Sequence, residues 1–418
     1  MQELSLNTAE IAAVLERSAN GTVVKTTDNF ITVLQHDPHF ANIKFNVLRN
    51  SAEIHENGIK VWDDADEAAA RNYLEKNYGL YSRDKFADAL RLLFRMREYN
   101  PVMSLVESIE WDGTERCEAF LNRWGGVADS PYSREVSRLI FAGGIWRLYL
   151  PGCKFDDVPI LIGTKQGEGK SSLIRFLAMN DAYYGEVNQF DGQQAIEQLS
   201  GKWICEISEL LALTRTKEVE ASKAYITRAV DQYRKPYDRN VTELPRRCIF
   251  IGTTNNATPL RDVYNRRYYP VTMHSKGYDL YEHEDECREY IMQCWAEARE
   301  KYKRGEMQNY AKRELVDDYR EAQESARQDD WRIGAIESYL DTKANGEYVC
   351  IRELTQKALA RDGIGHDPTV IESKDLGMIM SMFDDWDKSD RHYFAEYGRQ
   401  RSWVKTSGKQ SNDNDLPF

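Results

Sequence analysis

No two of the chain's seven cysteines (Cys117, Cys153, Cys205, Cys248, Cys287, Cys294, Cys350) share C-x-x-C spacing. That scatter argues against a thiolate zinc site or a disulfide framework. Several stand in apolar, strand-like runs and read as small core residues of a protein in a reducing cytoplasm. No apolar run approaches membrane-spanning length, so no membrane partner is expected. The opening Met-Gln-Glu-Leu-Ser-Leu has neither a basic region nor an apolar core, and no secretory leader is expected. Basic charge is in deficit: 56 Lys and Arg against 68 Asp and Glu give −12. Such a balance argues against a protein coated in nucleic acid. It leaves room for a locally basic channel, because screening makes the relevant field local. The 418 residues, 41% apolar and 30% charged, suffice for two or three globular domains.

What is present starts with Val158-Pro-Ile-Leu-Ile-Gly-Thr-Lys-Gln-Gly-Glu-Gly-Lys-Ser-Ser-Leu-Ile-Arg-Phe-Leu177. An apolar strand-like run leads into a glycine-rich turn, and a helical pattern with Leu173, Phe176 and Leu177 on one face follows. Backbone N–H groups of such a turn surround a polyphosphate, and the helix N-terminus adds a favourable dipole. Gly163, Thr164, Gly167, Glu168, Gly169, Lys170, Ser171 and Ser172 form the expected nucleotide cradle. Lys170 is expected on the β/γ-phosphates and Ser171 on Mg²⁺. The usual spacing places a glycine where Thr164 stands, one step after Gly163.

Residues 1–100 read as a mixed module with a hairpin (Ile43–Arg49, Ala52–Trp62) and helices over Asp66–Tyr78 and Ser82–Tyr99, the latter capped by Ser82. Residues 101–154 read as a helical lead-in. From 155 to 330 strands and helices alternate, which predicts an α/β unit with a mostly parallel sheet. Strands are expected at Val158–Gly163, Trp203–Ile207 and Cys248–Thr253, with a helix over Lys217–Val230. Glu282–Arg304 reads as a charged helix solvated on one face. Helix, helix, helix and hairpin over 331–405 is a winged-helix order, suited to duplex or origin recognition. Residues 406–418 read as a disordered tail. It ends Asp-Leu-Pro-Phe418, the kind of acidic end that docks in a partner replication protein.

Three further segments carry chemistry. Trp203-Ile-Cys-Glu-Ile-Ser-Glu209 is a strand ending in carboxylates, expected beside the phosphate-loop strand. Its terminal acids suit Mg²⁺ and the attacking water. Glu209, just past the strand end, is the favoured catalytic acid and metal ligand. Glu206 also qualifies as a catalytic acid, although it lies inside the apolar run, where an ionised carboxylate is costly without a partner. Arg247-Cys-Ile-Phe-Ile-Gly-Thr-Thr-Asn255 is a buried strand emptying into a polar tip, and Asn255 suits the orientation of a lytic water. Just after Asn265, ten residues on, Arg266 and Arg267 suit the γ-phosphate of a neighbouring copy. Between the second and third strands, residues 223–247 carry seven cations against three acids, interleaved with Tyr225, Tyr233 and Tyr237. Lys223, Arg228, Arg234, Lys235, Tyr237 and Arg239 are the expected contacts to single-stranded DNA.

Together these segments resemble the virulence-associated protein E family of phage and mobile elements, related to superfamily 3 helicases. The resemblance also runs through Tyr99-Asn-Pro-Val102, Ile109-Glu-Trp-Asp-Gly113 and Pro151-Gly-Cys-Lys154, and covers about half the chain. It implies a P-loop AAA+-type core, hydrolysis of Mg-ATP, a homo-oligomeric, hexameric ring, and work on phage or island DNA in a bacterial cytoplasm. It implies that Lys170 and Ser171 are the Walker A residues and Glu209 the Walker B acid. Asn255 becomes the sensor and Arg266 or Arg267 the finger. The expected activity is that of an ATP-dependent DNA helicase or translocase, with an ATP-dependent initiator or loader as the alternative.

Overall fold

The structure is a computed structural model. It describes residues 7–163, 167–208, 216–233, 242–258, 260, 267–274, 280–326, 331–360, 363–381, 383 and 385–406. Thr164, Glu209, Arg234, Lys235, Tyr237, Arg239, Arg266 and the tail beyond residue 406 lie outside them.

The amino-terminal sheet contains β1 (Ile43–Asn46), β2 (Ser51–His55), β3 (Ile59–Val61) and β4 (Glu98–Tyr99), in the order β3-β2-β1-β4. Helices Thr27–His36, Asp64–Tyr78 and Arg83–Met96 accompany it. They bury Phe30, Leu34, Leu74, Phe86 and Leu93 in one cluster. Asp63 caps the second helix in a reciprocal box with Asp66. Ser82 precedes the third helix but makes no side-chain cap bond, contrary to expectation. The Gly201 amide donates to the Leu48 carbonyl and Ser200 Oγ to the Arg49 carbonyl, both at 3.0 Å. Those two bonds join this unit to the segment leading into the central sheet.

That sheet comprises β5 (Val158–Ile162), β6 (Tyr184–Glu186), β7 (Ile204–Ser208), β10 (Ile249–Thr254) and β11 (Tyr268–Thr272), with an antiparallel hairpin of β8 (Val230–Tyr233) and β9 (Thr242–Pro245) set between β7 and β10 in sequence. All central pairings are parallel, in the order β11-β5-β10-β7-β6. Burial on both faces explains the unbroken apolar runs. Val158, Ile160, Ile162, Cys205, Ile207 and Phe250 line one face with Tyr225. Leu161, Ile204, Ile249 and Ile251 line the other, against helices Pro131–Tyr149, Lys170–Leu177 and Glu284–Lys303. The last of these buries Cys287, Ile291, Cys294 and Trp295. Proline is tolerated in β5 because pairing with β10 begins at Ile160, just past Pro159.

Two expectations change here. The carboxylate strand β7 is not beside β5, because β10 lies between them. The helix expected over Lys217–Val230 spans Thr216–Ile226, and Val230 opens β8 instead. Beyond residue 330 come helical segments Trp331–Leu340, Ile351–Ala358 and Val370–Met380. A small sheet of β12 (Tyr348–Val349), β13 (Trp386–Phe394) and β14 (Gly398–Lys405) completes this region, in the order β12-β14-β13. Ile336, Leu340, Leu376, Trp386 and Trp403 form its own apolar cluster.

Candidate nucleotide site

Parallel strands deliver their carboxyl ends to one edge of the sheet, and open α/β sheets bind ligands in that crevice. Here β5 empties into the glycine-rich turn, β7 carries Glu206 and β10 ends next to Asn255. Helix Lys170–Leu177 starts at the same edge behind Gly169, which has φ +78°. Its Leu173, Phe176 and Leu177 are buried, as the sequence pattern predicts, and Ile174 is buried with them.

Lys170 is drawn inward and nearly buried, at 9% exposure. Its Nζ donates to Asn255 Oδ1 at 2.7 Å and lies 4.0 Å from Glu168 Oε2. Ser171 Oγ donates to Glu206 Oε1 at 2.8 Å. The same carboxylate oxygen accepts Thr253 Oγ1 at 2.6 Å, and Oε2 accepts the Tyr184 hydroxyl at 2.6 Å. Glu206 is fully buried, yet three O–H donors from three elements compensate the lost water. It therefore faces the start of helix Lys170–Leu177 rather than an open face of the sheet. Burial, and then the Glu206 carboxylate, push the Tyr184 phenol above its usual range. Arg175 lies over the Tyr184 ring, 5.0 Å from its centre. A side chain at Gly163 would have to push aside the ends of two flexible side chains. A Cβ there would stand 2.0 Å from Lys170 Nζ and 2.5 Å from Glu168 Oε2. Gly167 keeps φ +87°, and Ser172 Oγ bonds the Tyr281 hydroxyl at 2.9 Å.

The remaining sequence candidates sit elsewhere. Arg267 precedes β11 at the opposite, amino-terminal edge of the sheet. A five-residue strand separates it from the carboxyl edge that bears Lys170 and Ser171, roughly 16 Å at the usual rise. Its Nε donates to Asp156 Oδ2 at 3.1 Å, and its carbonyl accepts the Val158 amide at 2.7 Å. Of the basic segment, Lys223 is half-buried on helix Thr216–Ile226. Arg228 lies 3.8 Å from Asp231 and over the Tyr225 ring. Two members of the segment belong to the core rather than to a DNA-facing surface. Arg246 is buried, with Nε on Asp231 Oδ2 at 2.6 Å and Nη2 on Oδ1 at 3.0 Å. Tyr225 is fully buried and donates to the Ala195 carbonyl at 2.6 Å. Together they brace the base of the β8–β9 hairpin. Arg234, Lys235, Tyr237 and Arg239 fall in the connection between its last paired residues, Tyr233 and Thr242.

Sequence reasoning misses Thr253 and Tyr184 as partners of Glu206. Thr253 is visible as part of the polar end of β10. Tyr184 gives no signal, because a three-residue strand is too short for periodicity.

Residues 106–329 match the Virulence-associated protein E-like domain. A comparison with curated proteins finds no match. Among solved structures, the apo C-terminal region of NrS-1 (residues 305–718) aligns over 87% of this chain and 95% of its own, at 12% identity and TM-score 0.48. The A form of that apo region aligns over 87% and 96%, at 13% identity and TM-score 0.47.

Proposed function

The chain belongs to the virulence-associated protein E-like family, and on that premise we propose that it is an ATP-driven motor that moves along or unwinds DNA in phage or mobile-element replication. The observation that carries this reading is the meeting of Lys170 with Asn255 and of Ser171 with Glu206 at one sheet edge. The fold is read accordingly as a P-loop AAA+-type core with a winged-helix-like unit after residue 330.

Lys170 and Ser171 each hold a partner that a bound ligand can replace. On ATP binding, Lys170 exchanges the Asn255 amide oxygen for a phosphate oxygen. Asn255 is then free to orient a water at the γ-phosphate. Ser171 Oγ and Glu206 Oε1 are hard oxygen donors at one point, the type of set that suits Mg²⁺ together with phosphate oxygens. When bound, the ion neutralises charge that develops on the transferred phosphoryl group. Tyr184 and Thr253 hold Glu206 in place for that role. Glu209, the residue after β7, is left to polarise the attacking water.

The roughly 16 Å to Arg267 is too far for service within one chain. The finger, Arg266 or Arg267, therefore comes from a neighbouring copy in a homo-oligomer, with a hexameric ring as the expected form. Each hydrolysis step shifts the β8–β9 hairpin, whose basic connection grips single-stranded DNA.

ATP hydrolysis with and without single-stranded DNA tests the proposal. Turnover should be stimulated by the strand and abolished in Lys170→Ala. Wild-type protein that never hydrolyses ATP would sink it. Turnover without strand displacement favours the initiator or loader.

A further inference from the structure

The β13–β14 hairpin carries a second charged surface. Its register opposes Arg391 to Arg401 and Tyr393 to Arg399. Residues directly opposite, and those two apart, share a face. Arg391, Tyr393, Arg399 and Arg401 thus occupy one side of the ribbon, and all four are exposed, Tyr393 at 71%. The other side is differently built: His392 stacks on Tyr348 with ring centres 4.0 Å apart.

The pattern is costly in isolation, because like charges directly opposite on a sheet destabilise it. A shift in register between Ser389 and Arg391 is what brings Arg391 opposite Arg401. The buried Ser402 holds this irregularity, its Oγ donating to the Asp390 carbonyl at 2.7 Å. Among the described residues, none of the three arginines has an ion pair or side-chain hydrogen bond. The nearby Glu396 is committed to Lys357 at 3.0 Å. Three unpaired guanidinium groups cluster in a protein of net charge −12.

We propose that this face of the β13–β14 hairpin binds the phosphate backbone of duplex DNA. Guanidinium forks match phosphate oxygens two at a time. A two-stranded ribbon is also narrow enough for the major groove. Trp386 and Trp403 anchor the base of the ribbon in the apolar cluster, so the arginines are presented on a fixed support. This surface is separate from the β8–β9 hairpin and does not depend on the ATP site.

The test is fluorescence anisotropy of the full chain with a labelled duplex of arbitrary sequence, and with one of its single strands, across a salt series. Arg391→Gln, Arg399→Gln and Arg401→Gln combined should weaken duplex binding. The salt slope should fall by roughly 2 to 3, close to one for each phosphate left without its guanidinium. The variant should melt no lower than wild type, since it relieves like-charge repulsion. Changing the same three residues to Lys should retain most of the slope. Lys170→Ala should bind the duplex as wild type does, which separates failure here from failure of the ATP reading. An unchanged slope in the triple Gln variant overturns the proposal. So does equal weakening in the Lys variant, or weakening confined to the single strand.

Discussion

The two edges of the central sheet are built from the same five strands but use their polar groups differently. At the carboxyl edge, Lys170, Ser171, Glu206, Thr253 and Asn255 come from the phosphate-loop helix, β7 and the end of β10. Each bond there crosses between elements, and in the proposed reading those of Lys170 and Ser171 are exchanged for phosphate and cation while Thr253 and Tyr184 keep Glu206 in place. At the amino edge, Arg267 pairs with Asp156 and the Tyr269 hydroxyl donates to Asp157 at 3.2 Å. These bonds fasten edge strand β11 to β5. One edge is arranged for exchange and the other for bracing.

The largest expected effect breaks that division. If Arg267 also serves a neighbour's phosphate, Arg267→Ala should lower turnover by roughly 10³–10⁵-fold. Mixing it with Lys170→Ala should restore part of the activity through hybrid pockets, measured as ATP hydrolysis of the mixture. No recovery at any ratio, with assembly intact, would leave Arg267 a brace only and shift the finger role to Arg266.

Glu206→Gln keeps the shape of the carboxylate but removes its charge. Turnover should drop by on the order of 10²–10³-fold while the fold persists, checked by kinetics beside thermal melting. A fully active Glu206→Gln enzyme would transfer the metal role to Glu209.

Arg246→Ala probes bracing of a different kind, at the foot of the β8–β9 hairpin. It leaves the buried Asp231 with only the longer, more exposed contact to Arg228 and should cost about 3–5 kcal/mol in chemical denaturation. Arg228→Ala, which removes a more exposed partner of the same carboxylate, should cost less than about 1 kcal/mol.

The smallest effect sharpens the amino edge. Burial, then the adjacent Asp156, push the Asp157 carboxyl up to about 7. Between its unfolded value near 3.8 and about 7, the folded chain holds more protons than the unfolded one. This group's contribution is therefore complete below the unfolded value and is lost as pH rises through 7. Asp157→Asn should remove that part of the decline, seen as a flatter melting temperature between pH 4 and 8.

Legibility in the sequence follows locality. Strands β5, β7 and β10 are readable because burial on both faces leaves continuous apolar runs. The candidate nucleotide turn is readable because glycines, lysine and serine are contiguous in sequence. Strand β11 is hidden by Pro270, which an edge strand tolerates, and by the arginines that precede it. The β8–β9 strands are hidden by charge, although Asp231 and Arg246 neutralise each other once paired. Glu206 is undervalued for the same reason. A carboxylate in an apolar run looks expensive until Tyr184, Ser171 and Thr253 arrive from three other places. In the other direction, a local run of cations suggests DNA partners that the fold replaces internally at Arg246. The arginines of β13 and β14 draw no notice, because only strand register places them side by side.

Gly163 has a last consequence. The ammonium group of Lys170 occupies the space where any other residue would place its first carbon. One added methyl at position 163 pushes the end of the flexible lysine aside yet leaves every charged side chain of the cradle present. Such a chain would keep its signature letters and its strands, and in the proposed reading the moved ammonium would reach phosphate less well.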